Sequence, residues 1–314
     1  MKTKILSKDR EGIKIAATQL RLGKLVAFPT ETVYGLGANA YINEAIASIY
    51  EAKRRPSFNP LIVHFNCVND VKKHVIWNEW SEKLAKTFWP GAITFILKRA
   101  KNSKLSLLVS AGLETVAVRI PSHKIAQNLI KEAACPIAAP SANSSGKISP
   151  TKAEHVKITL GDRIPYIING ESCTIGLEST VINLSTDKPI ILRSGGVPVE
   201  QIEKIIGPIS VCDNDDMILS PGMLDRHYAP DIPIRLNATK FSETENILGF
   251  GPDAPNSAFN LSSTGNLIEA ASNLFDFMHK LNKPGAKPIA VMPIPEIGLG
   301  LAINDRLRRS ATNE

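Results

Sequence analysis

The 314-residue sequence lacks several patterns that mark common classes of protein. Its four cysteines stand far apart without a CxxC pair, which argues against a zinc ribbon and a disulfide framework. Neither HExxH nor the lysine motif of P-loops occurs. No apolar run approaches the ~20 residues that span a bilayer, and the N-terminus becomes charged before a signal-peptide core could form. We therefore expect a cytoplasmic protein without a membrane partner.

The composition is typical of a globular protein, with 43% hydrophobic and 21% charged residues. The formal net charge is +7. Such a balance suits polyanionic ligands such as nucleotides or RNA, although a basic protein without any such ligand would show the same balance. The length allows two domains with a sizeable core.

Apolar spacing predicts alternating helices and strands through the first two thirds of the chain, which is typical of an α/β domain with a mixed sheet. We expect helices over residues 9–22, 43–53, 81–89, 123–133, 151–160 and 198–206. We expect strands over residues 25–28, 61–65, 93–98, 116–120, 136–139, 166–169, 179–184 and 189–193.

The composition changes near Cys212. Residues 213–233 hold three prolines, a glycine and several acids without usable periodicity, which indicates a linker. Beyond it, strand patterns at 232–236, 246–250, 257–261 and 288–295 and a helix over 267–281 predict a second α/β domain. We therefore divide the chain into a domain over residues 1–211, a linker over 212–231 and a small domain over 232–314.

The segment GLGANA at 35–40 follows a strand and fits the loose dinucleotide pattern GxGxxA. A dinucleotide site also requires an acidic residue about 20 positions later, where SFNP stands instead, so a dehydrogenase is disfavoured.

Cations and small hydroxyl residues recur where elements end. Lys53 and Arg55 end a helix, where they could also be solvated partners of the helix dipole. Arg119 ends an apolar strand, and a buried arginine needs a partner. Arg193 precedes Ser-Gly-Gly. Because α/β sheets usually hold ligands at strand ends, these positions predict an anion-binding site.

Eight segments in order resemble the YrdC-type domain of L-threonylcarbamoyladenylate synthases, in the long form with a linker and a C-terminal domain. They are PTETVYGLGANA, KRRPSFNPLIVH, WPGAITFIL, VAVRIPSH, AAPSANSSGKISPT, GLESTVI, ILRSGGV and SPGMLDRHYAP, within residues 29–230. The last 80 or so residues resemble the family more weakly. The resemblance implies a YrdC-like twisted mixed β-sheet with flanking helices, plus a smaller C-terminal α/β (Rossmann-like) domain.

The resemblance also implies a nucleotidyltransferase that condenses L-threonine, bicarbonate and ATP to threonylcarbamoyladenylate and pyrophosphate. A partner transferase complex then modifies the adenosine next to the tRNA anticodon. We expect Mg²⁺ to be carried by the ATP phosphates, because the sequence offers no acidic cluster to hold a metal. Direct contact with tRNA would be weak.

Site residues follow from the same resemblance. L-threonine is expected to contact Thr32, His64, Arg119, Ala139 and Ser179, with Arg119 pairing bidentately with its carboxylate. Lys53 and Arg55 are expected to be the catalytic cations on the phosphates. The ATP site is completed by Asn59, Thr115, Ser141, Asn143, Ser149, Arg193 and Tyr228.

Three further expectations concern the first motif and the linker. Glu31 is interpreted as a structural hydrogen-bond acceptor rather than a general base. The glycines of PTETVYGLG are expected to let the backbone pass close to a ligand. Residues 213–230 are expected to form a lid that keeps water from a hydrolysable product.

Two alternatives stay open. A basic YrdC-type surface could bind double-stranded RNA without catalysis, in which case binding would weaken steeply with salt. A carbamoyl transferase of the hydrogenase-maturation type uses a related domain, but such proteins add acylphosphatase and zinc-finger segments that this sequence lacks.

Overall fold

The computed structural model describes residues 2–56, 58–212 and 227–311. The N-terminal domain is built on a sheet of strands β1 (Lys4–Leu6), β2 (Val26–Phe28), β3 (Gly35–Asn39), β4 (Ile62–His64), β5 (Ile93–Lys98), β6 (Thr115–Arg119), β7 (Ile137–Ala138), β8 (Tyr166–Ile168), β9 (Thr180–Asn183), β10 (Ile190–Arg193) and β11 (Ser210–Val211). Its helices are α1 (Arg10–Arg21), α2 (Asn43–Lys53), α3 (Val68–Lys72), α4 (Glu79–Phe88), α5 (Lys124–Ala133), α6 (Ala153–Leu160) and α7 (Val199–Ile206). None of the described helices is long and apolar enough to cross a membrane.

The sheet is mixed, as the sequence predicts. Its strand order is β1-β8-β2-β3-β7-β4-β6-β5-β9-β10-β11. β4 runs parallel to β6 and β5 parallel to β9, whereas β5 and β6 are antiparallel. The parallel pairing places His64 directly beside Arg119, at the ends of β4 and β6.

The two faces of this sheet are covered differently. One face packs under α2, α4 and α7, with Val63 of β4 in that core. Because side chains alternate along a strand, Ile62 and His64 point to the opposite face. On that face α1 and α5 cover the part around Val26 and Phe28. A small cluster around Ile62 and Ala117 lies on its central part.

The segment GLGAN forms β3 and not a loop at the end of a strand, and all five of its residues are buried. A Cβ on Gly37 would lie 2.8 Å from the ring of Phe28 and 2.9 Å from Ile137. Gly37 therefore allows neighbouring side chains to close over the strand, so its role is in packing. Gly35 does line the cavity described below.

Some predicted boundaries shift. The helix expected from residue 151 begins at Ala153, and its N-cap residue Lys152 makes no side-chain capping bond. The short strand β1 and the five-residue helix α3 were not predicted. β1 pairs in parallel with β8 across most of the domain's sequence, a long-range contact that three residues of local pattern do not indicate.

The C-terminal domain has a four-stranded sheet in the order β12-β15-β13-β14, and its strand pairs are parallel. Its elements are β12 (Ile234–Arg235), β13 (Asn246–Gly249), β14 (Phe259–Asn260), α8 (Leu267–Leu281), β15 (Ile289–Val291) and α9 (Leu299–Ala311). This agrees with the predicted Rossmann-like α/β domain. Helix α9 was missed, although Leu299, Ala302, Ile303 and Leu307 form a buried stripe at helical spacing.

The C-terminal domain packs directly on the N-terminal domain. One apolar cluster joins Val33 and Leu177 to Leu274 and Phe275 of α8. Lys152 forms an ion pair with Asp276 at 2.6 Å. The two domains thus share an apolar core, and their contact surface reaches the PTETVY and GLEST segments.

Candidate active site

A cavity opens on the central part of the N-terminal sheet, beside the C-terminal domain. Many residues predicted for the site line it: Thr32, Arg55, His64, Arg119, Ala139, Ser141, Ser179, Arg193 and Tyr228. They come from β4, β6 and β10, from the loops that flank β2, β7 and β9, from the segment after α2 and from the segment before β12. The sheet therefore brings together residues that are up to about two hundred positions apart.

Arg119 is fixed by three hydrogen bonds. Its Nη1 donates to Thr32 Oγ1 at 2.9 Å, its Nη2 to Glu31 Oε1 at 2.5 Å, and its Nε to the carbonyl of Gly91 at 3.1 Å. A guanidinium group has five N–H donors, so two have no acceptor among the described residues and could serve a ligand. We call Thr32, His64 and Arg119 the Arg119 side of the cavity.

Glu31 supplies the negative charge on this side. Burial is the largest single influence and raises its pKa, but the charge of Arg119 and the hydrogen bonds to the carboxylate together outweigh burial, so the net pKa is lowered. The carboxylate is therefore ionised at neutral pH and holds Arg119 in place, which agrees with the expected role of a structural acceptor. Its second oxygen, Oε2, is buried without a hydrogen-bond partner among the described residues.

His64 is neutral at physiological pH. Burial, followed by the positive charge of Arg119, lowers its pKa to about 3. Its Nδ1 is buried without a hydrogen-bond partner within the described part of the chain. A lone strand histidine usually belongs to the core, but an orphaned ring nitrogen beside a cavity is costly unless a ligand satisfies it.

Lys53 lies behind the cavity wall at the end of α2. Its Nζ donates to the carbonyls of Ser141 and Asn143, both at 2.5 Å. Burial, and then the charges of Arg55 and Arg163, lower its pKa well below the ordinary value of 10.5. Lys53 thus shapes the Ser141 loop and carries a charge that the protein around it disfavours.

Arg55 reaches the cavity itself. The left-handed Arg54 ends α2 and turns the chain there. The Arg55 guanidinium donates to the carbonyls of Asn59 and Pro60 and to the Asn59 side chain. Burial lowers its pKa to about 10. We call Lys53, Arg55 and Asn59 the Arg55 side; within the described residues, neither cation there has a carboxylate partner.

Three more residues predicted to bind ATP lie near this side. Arg193 lines the cavity, whereas Asn143 and Ser149 lie behind its wall. Asn143 donates to the carbonyls of Ser144 and Lys147 and so fixes the loop after β7. Ser149 donates to Glu178 Oε1 at 2.5 Å, and Glu178 does line the cavity. Arg193 donates to the carbonyl of Ser179 at 2.8 Å.

Tyr228 and His227 form part of the cavity wall. Tyr228 has a positive φ of 62°, packs with Phe275 at 5.5 Å between ring centroids, and has a buried hydroxyl without a partner in the described chain. The His227 amide donates to the carbonyl of Arg309 in α9. Of the predicted lid over 213–230, residues 213–226 lie outside the described residues.

Thr115 is a predicted site residue that the structure places apart. It begins β6, whereas Arg119 ends that strand, and it does not line the cavity. Asn59 does not line the cavity either. Sequence reasoning assigned no role to Thr30, Glu178 or His227, which do line it. Glu178 and His227 stand within the quoted GLEST and HYAP segments, so a signal for them existed.

No group of three or more His, Cys, Asp or Glu side chains that could hold a metal ion occurs in the described part of the chain. The carboxylate that lines the cavity, Glu178, already forms an ion pair with Arg306 at 2.9 Å.

Comparison with known proteins gives matches along nearly the whole chain. A family model described as "Telomere recombination" matches residues 18–195, and one described as "Threonylcarbamoyl-AMP synthase, C-terminal domain" matches residues 197–312. A Pyrococcus abyssi protein named threonylcarbamoyl-AMP synthase is 42% identical over 95% of this chain and 94% of its own length. A Bacillus subtilis protein of the same name is also 42% identical, over 98% of this chain and 94% of its own.

The fold has a solved counterpart. The crystal structure of P. abyssi Sua5 complexed with L-threonine matches with a TM-score of 0.90 and 38% identity, covering 98% of each chain. Both domains and their arrangement along the sequence are therefore shared with that protein.

Proposed function

The chain belongs to the family of threonylcarbamoyl-AMP synthases, and from this membership we infer that it makes threonylcarbamoyl-AMP from L-threonine and ATP. This reaction is the first step of threonylcarbamoyladenosine modification of tRNA. One observation carries the assignment to this cavity: its wall brings a carboxylate-fixed Arg119 and the neutral His64 together with the buried Arg55, which has no carboxylate partner among the described residues.

L-threonine would occupy the Arg119 side. The two free N–H groups of Arg119 suit the substrate carboxylate, and the unpartnered Nδ1 of His64 can hydrogen-bond a hydroxyl or amine. Ala139 and Ile62 supply a small apolar surface for the methyl group. Such a surface separates threonine from serine by about 1–3 kcal/mol, so we expect discrimination of about ten- to two-hundred-fold.

The ATP phosphates would occupy the Arg55 side. Arg55, Arg193 and the Ser141 loop face the cavity, and Lys53 lies directly behind that loop. Buried cations held by neutral carbonyls are stabilised when an anion arrives, because their desolvation cost is then offset by attraction. Phosphoryl chemistry needs this positioning and charge neutralisation more than it needs a nucleophilic side chain.

The order of bonds follows from the product. Bicarbonate supplies the carbon: the threonine amine condenses with it to a carbamate, and a C–O bond of bicarbonate breaks with release of water. A carbamate oxygen then attacks the α-phosphorus as pyrophosphate leaves. His64 is neutral, so it can accept a proton or a hydrogen bond near the amine. Arg55 and Arg193 stabilise the negative charge that develops on the phosphates.

Mg²⁺ would be carried by the ATP phosphates. Glu178 is held by Arg306 and Ser149, which leaves it poorly suited as a metal ligand. When bound, the ion would neutralise phosphate charge, and the cations of the Arg55 side would add to that effect.

The segment around Tyr228 would cover the product. His227 and Tyr228 already line the cavity, and exclusion of water protects a hydrolysable carbamoyl adenylate. We keep residues 212–231 as the proposed linker. A tRNA-modifying transferase complex would then receive the threonylcarbamoyl group, with at most weak contact between this chain and tRNA.

Pyrophosphate release tests the function. Purified protein is incubated with ATP, Mg²⁺ and bicarbonate, with and without L-threonine, and the product mass is measured. We expect release that requires both threonine and bicarbonate, together with the mass of threonylcarbamoyl-AMP. Folded protein that binds double-stranded RNA in a salt-dependent way but releases no pyrophosphate would instead support a binding module.

A further inference from the structure

Arg306 is a buried cation of the C-terminal domain that reaches into the N-terminal domain. It lies on α9 and is 0% exposed. Its Nε donates to Glu178 Oε2 at 2.9 Å, and its Nη1 donates to the Ser194 carbonyl at 2.8 Å and to Asp305 at 2.6 Å. Its guanidinium carbon lies 5.4 Å from the centre of the Tyr228 ring.

The groups held by Arg306 belong to the cavity wall. Glu178 lines the cavity, and its other oxygen accepts the Ser149 hydroxyl at 2.5 Å. Ser194 follows Arg193, which also lines the cavity. A chain of contacts therefore runs from α9 through Glu178 to Ser149.

The negative charge of Glu178 suggests a function for its ion pair with Arg306. An ionised carboxylate in the wall of a phosphate site repels the ligand, and in a buried setting this repulsion is poorly screened. Arg306 offsets that charge at 2.9 Å. Its Nη2, buried and without an acceptor among the described residues, leaves the guanidinium with spare donor capacity on this side of the interface.

We propose that Arg306 is a positioning residue through which the C-terminal domain neutralises Glu178 and fixes Ser149, so that the cavity accepts the ATP triphosphate. The inference rests on the proposed function, because it assumes that the Arg55 side binds phosphates. The C-terminal domain is then part of the nucleotide site and not only a neighbour that docks on it.

A purely structural contact would behave differently. Loss of docking would disturb the whole wall, which includes Thr32 and Ser179, and would weaken both substrates alike. Loss of neutralisation weakens the polyanion selectively. Removing the negative charge as well should then restore ATP binding, although it cannot restore the lost ion pair.

The experiment compares Arg306→Gln, Glu178→Gln and the double variant in the full chain, with Arg235→Gln as control. Arg235 also forms an ion pair with a glutamate, Glu245, but its side chain is half exposed on the surface of the C-terminal domain. The control therefore removes an arginine from an exposed pair instead of a buried one. Melting temperature and the KM values for ATP and L-threonine are measured for each.

We expect Arg306→Gln to raise the KM for ATP at least about tenfold, because one partner of a buried pair is left charged, while the KM for threonine changes less than about twofold. The double variant should recover most of the ATP affinity, and Arg235→Gln should match the wild type. Equal changes in both KM values, or a double variant no better than Arg306→Gln, would overturn the proposal.

Glu178→Gln alone decides the matter if Arg306→Gln does not fold. It should keep or tighten ATP binding, whereas a tenfold loss would show that the carboxylate itself is needed. If the wild type binds ATP and pyrophosphate but forms no product, the proposed function is wrong. The Arg306 proposal is then decided by pyrophosphate affinity, which should fall in Arg306→Gln and recover in the double variant.

Discussion

The two sides of the cavity treat buried charge in opposite ways. On the Arg119 side, the cation has a carboxylate partner, Glu31, at 2.5 Å. On the Arg55 side, Lys53 and Arg55 are held by carbonyl and amide oxygens. Both sets are nearly inaccessible to solvent, so screening by water does not explain the difference.

This difference matches two kinds of ligand. An amino acid brings a charge of each sign, so a site for it keeps its own charges balanced. A triphosphate brings only negative charge, so a site for it holds uncompensated cations before the ligand arrives. Holding these cations without an anion disfavours their charged forms. The pKa values of Lys53 and Arg55 are accordingly lowered, and burial is the leading cause in both.

The largest expected effect is the loss of Arg119. Arg119→Met should leave Glu31 buried and unpaired, which costs about 3–5 kcal/mol of stability, and should lower kcat/KM about 10³-fold. The double variant Glu31→Gln/Arg119→Met removes both charges, so it should regain stability without regaining activity. Thermal melts and steady-state kinetics separate the two effects. A double variant that regains activity would show that Arg119 serves only the fold.

Loss of Lys53 should act in the contrasting way. Lys53→Met leaves no buried carboxylate without its partner, so we expect a smaller loss of stability than for Arg119→Met. We also expect kcat/KM to fall about 10²-fold, because ATP binds more weakly. The measured quantity is the rise in melting temperature when ATP is added, which should nearly vanish in the variant. An undiminished rise would place the phosphates elsewhere.

The pH dependence sharpens the comparison further. Without ATP, the folded protein has a Lys53 pKa well below the ordinary value of 10.5. At pH values between the lowered pKa and 10.5, Lys53 is protonated in the unfolded chain but not in the folded protein. The free energy of unfolding therefore rises with pH in that window. Phosphate binding favours the charged lysine, so ATP affinity should fall with rising pH in that window. Titrations of ATP affinity from neutral pH up to about 10.5 should show a slope that Lys53→Met lacks. Equal slopes in the two proteins would exclude Lys53 as its source.

The smallest effect is expected at Thr115, which the sequence resemblance assigns to ATP. Because the residue does not line the cavity, Thr115→Val should change kcat/KM less than about threefold. Kinetics at varied ATP concentration provide the test. A rise of tenfold or more in the KM for ATP would restore the assignment and extend the Arg55 side along β6.

Much of the fold was predictable because local periodicity and long-range packing agree. The amphipathic helices α1 and α5 pack against the same side of the sheet, and their apolar spacing is visible in the chain. β3 was missed since its glycines have low strand propensity; only the tight packing of Phe28 and Ile137 over Gly37 explains them. That packing joins segments a hundred residues apart.

The site was predictable to the extent that its residues stand in recognisable segments. The position of His64 beside Arg119 could not be read from the chain, because it depends on the register between β4 and β6. Arg306 gave no signal at all. It interrupts the apolar stripe of α9, and its partner Glu178 is 128 positions away.

The most direct test is to titrate each half of the site separately. Isothermal calorimetry would measure binding of L-threonine and of a non-hydrolysable ATP analogue to the wild type, to Lys53→Met and to Glu31→Gln/Arg119→Met. The account predicts that Lys53→Met loses the nucleotide but keeps threonine, and that the double variant does the reverse. If each variant loses both ligands equally, or if the pattern is inverted, the division of the cavity into a balanced and an uncompensated side is wrong.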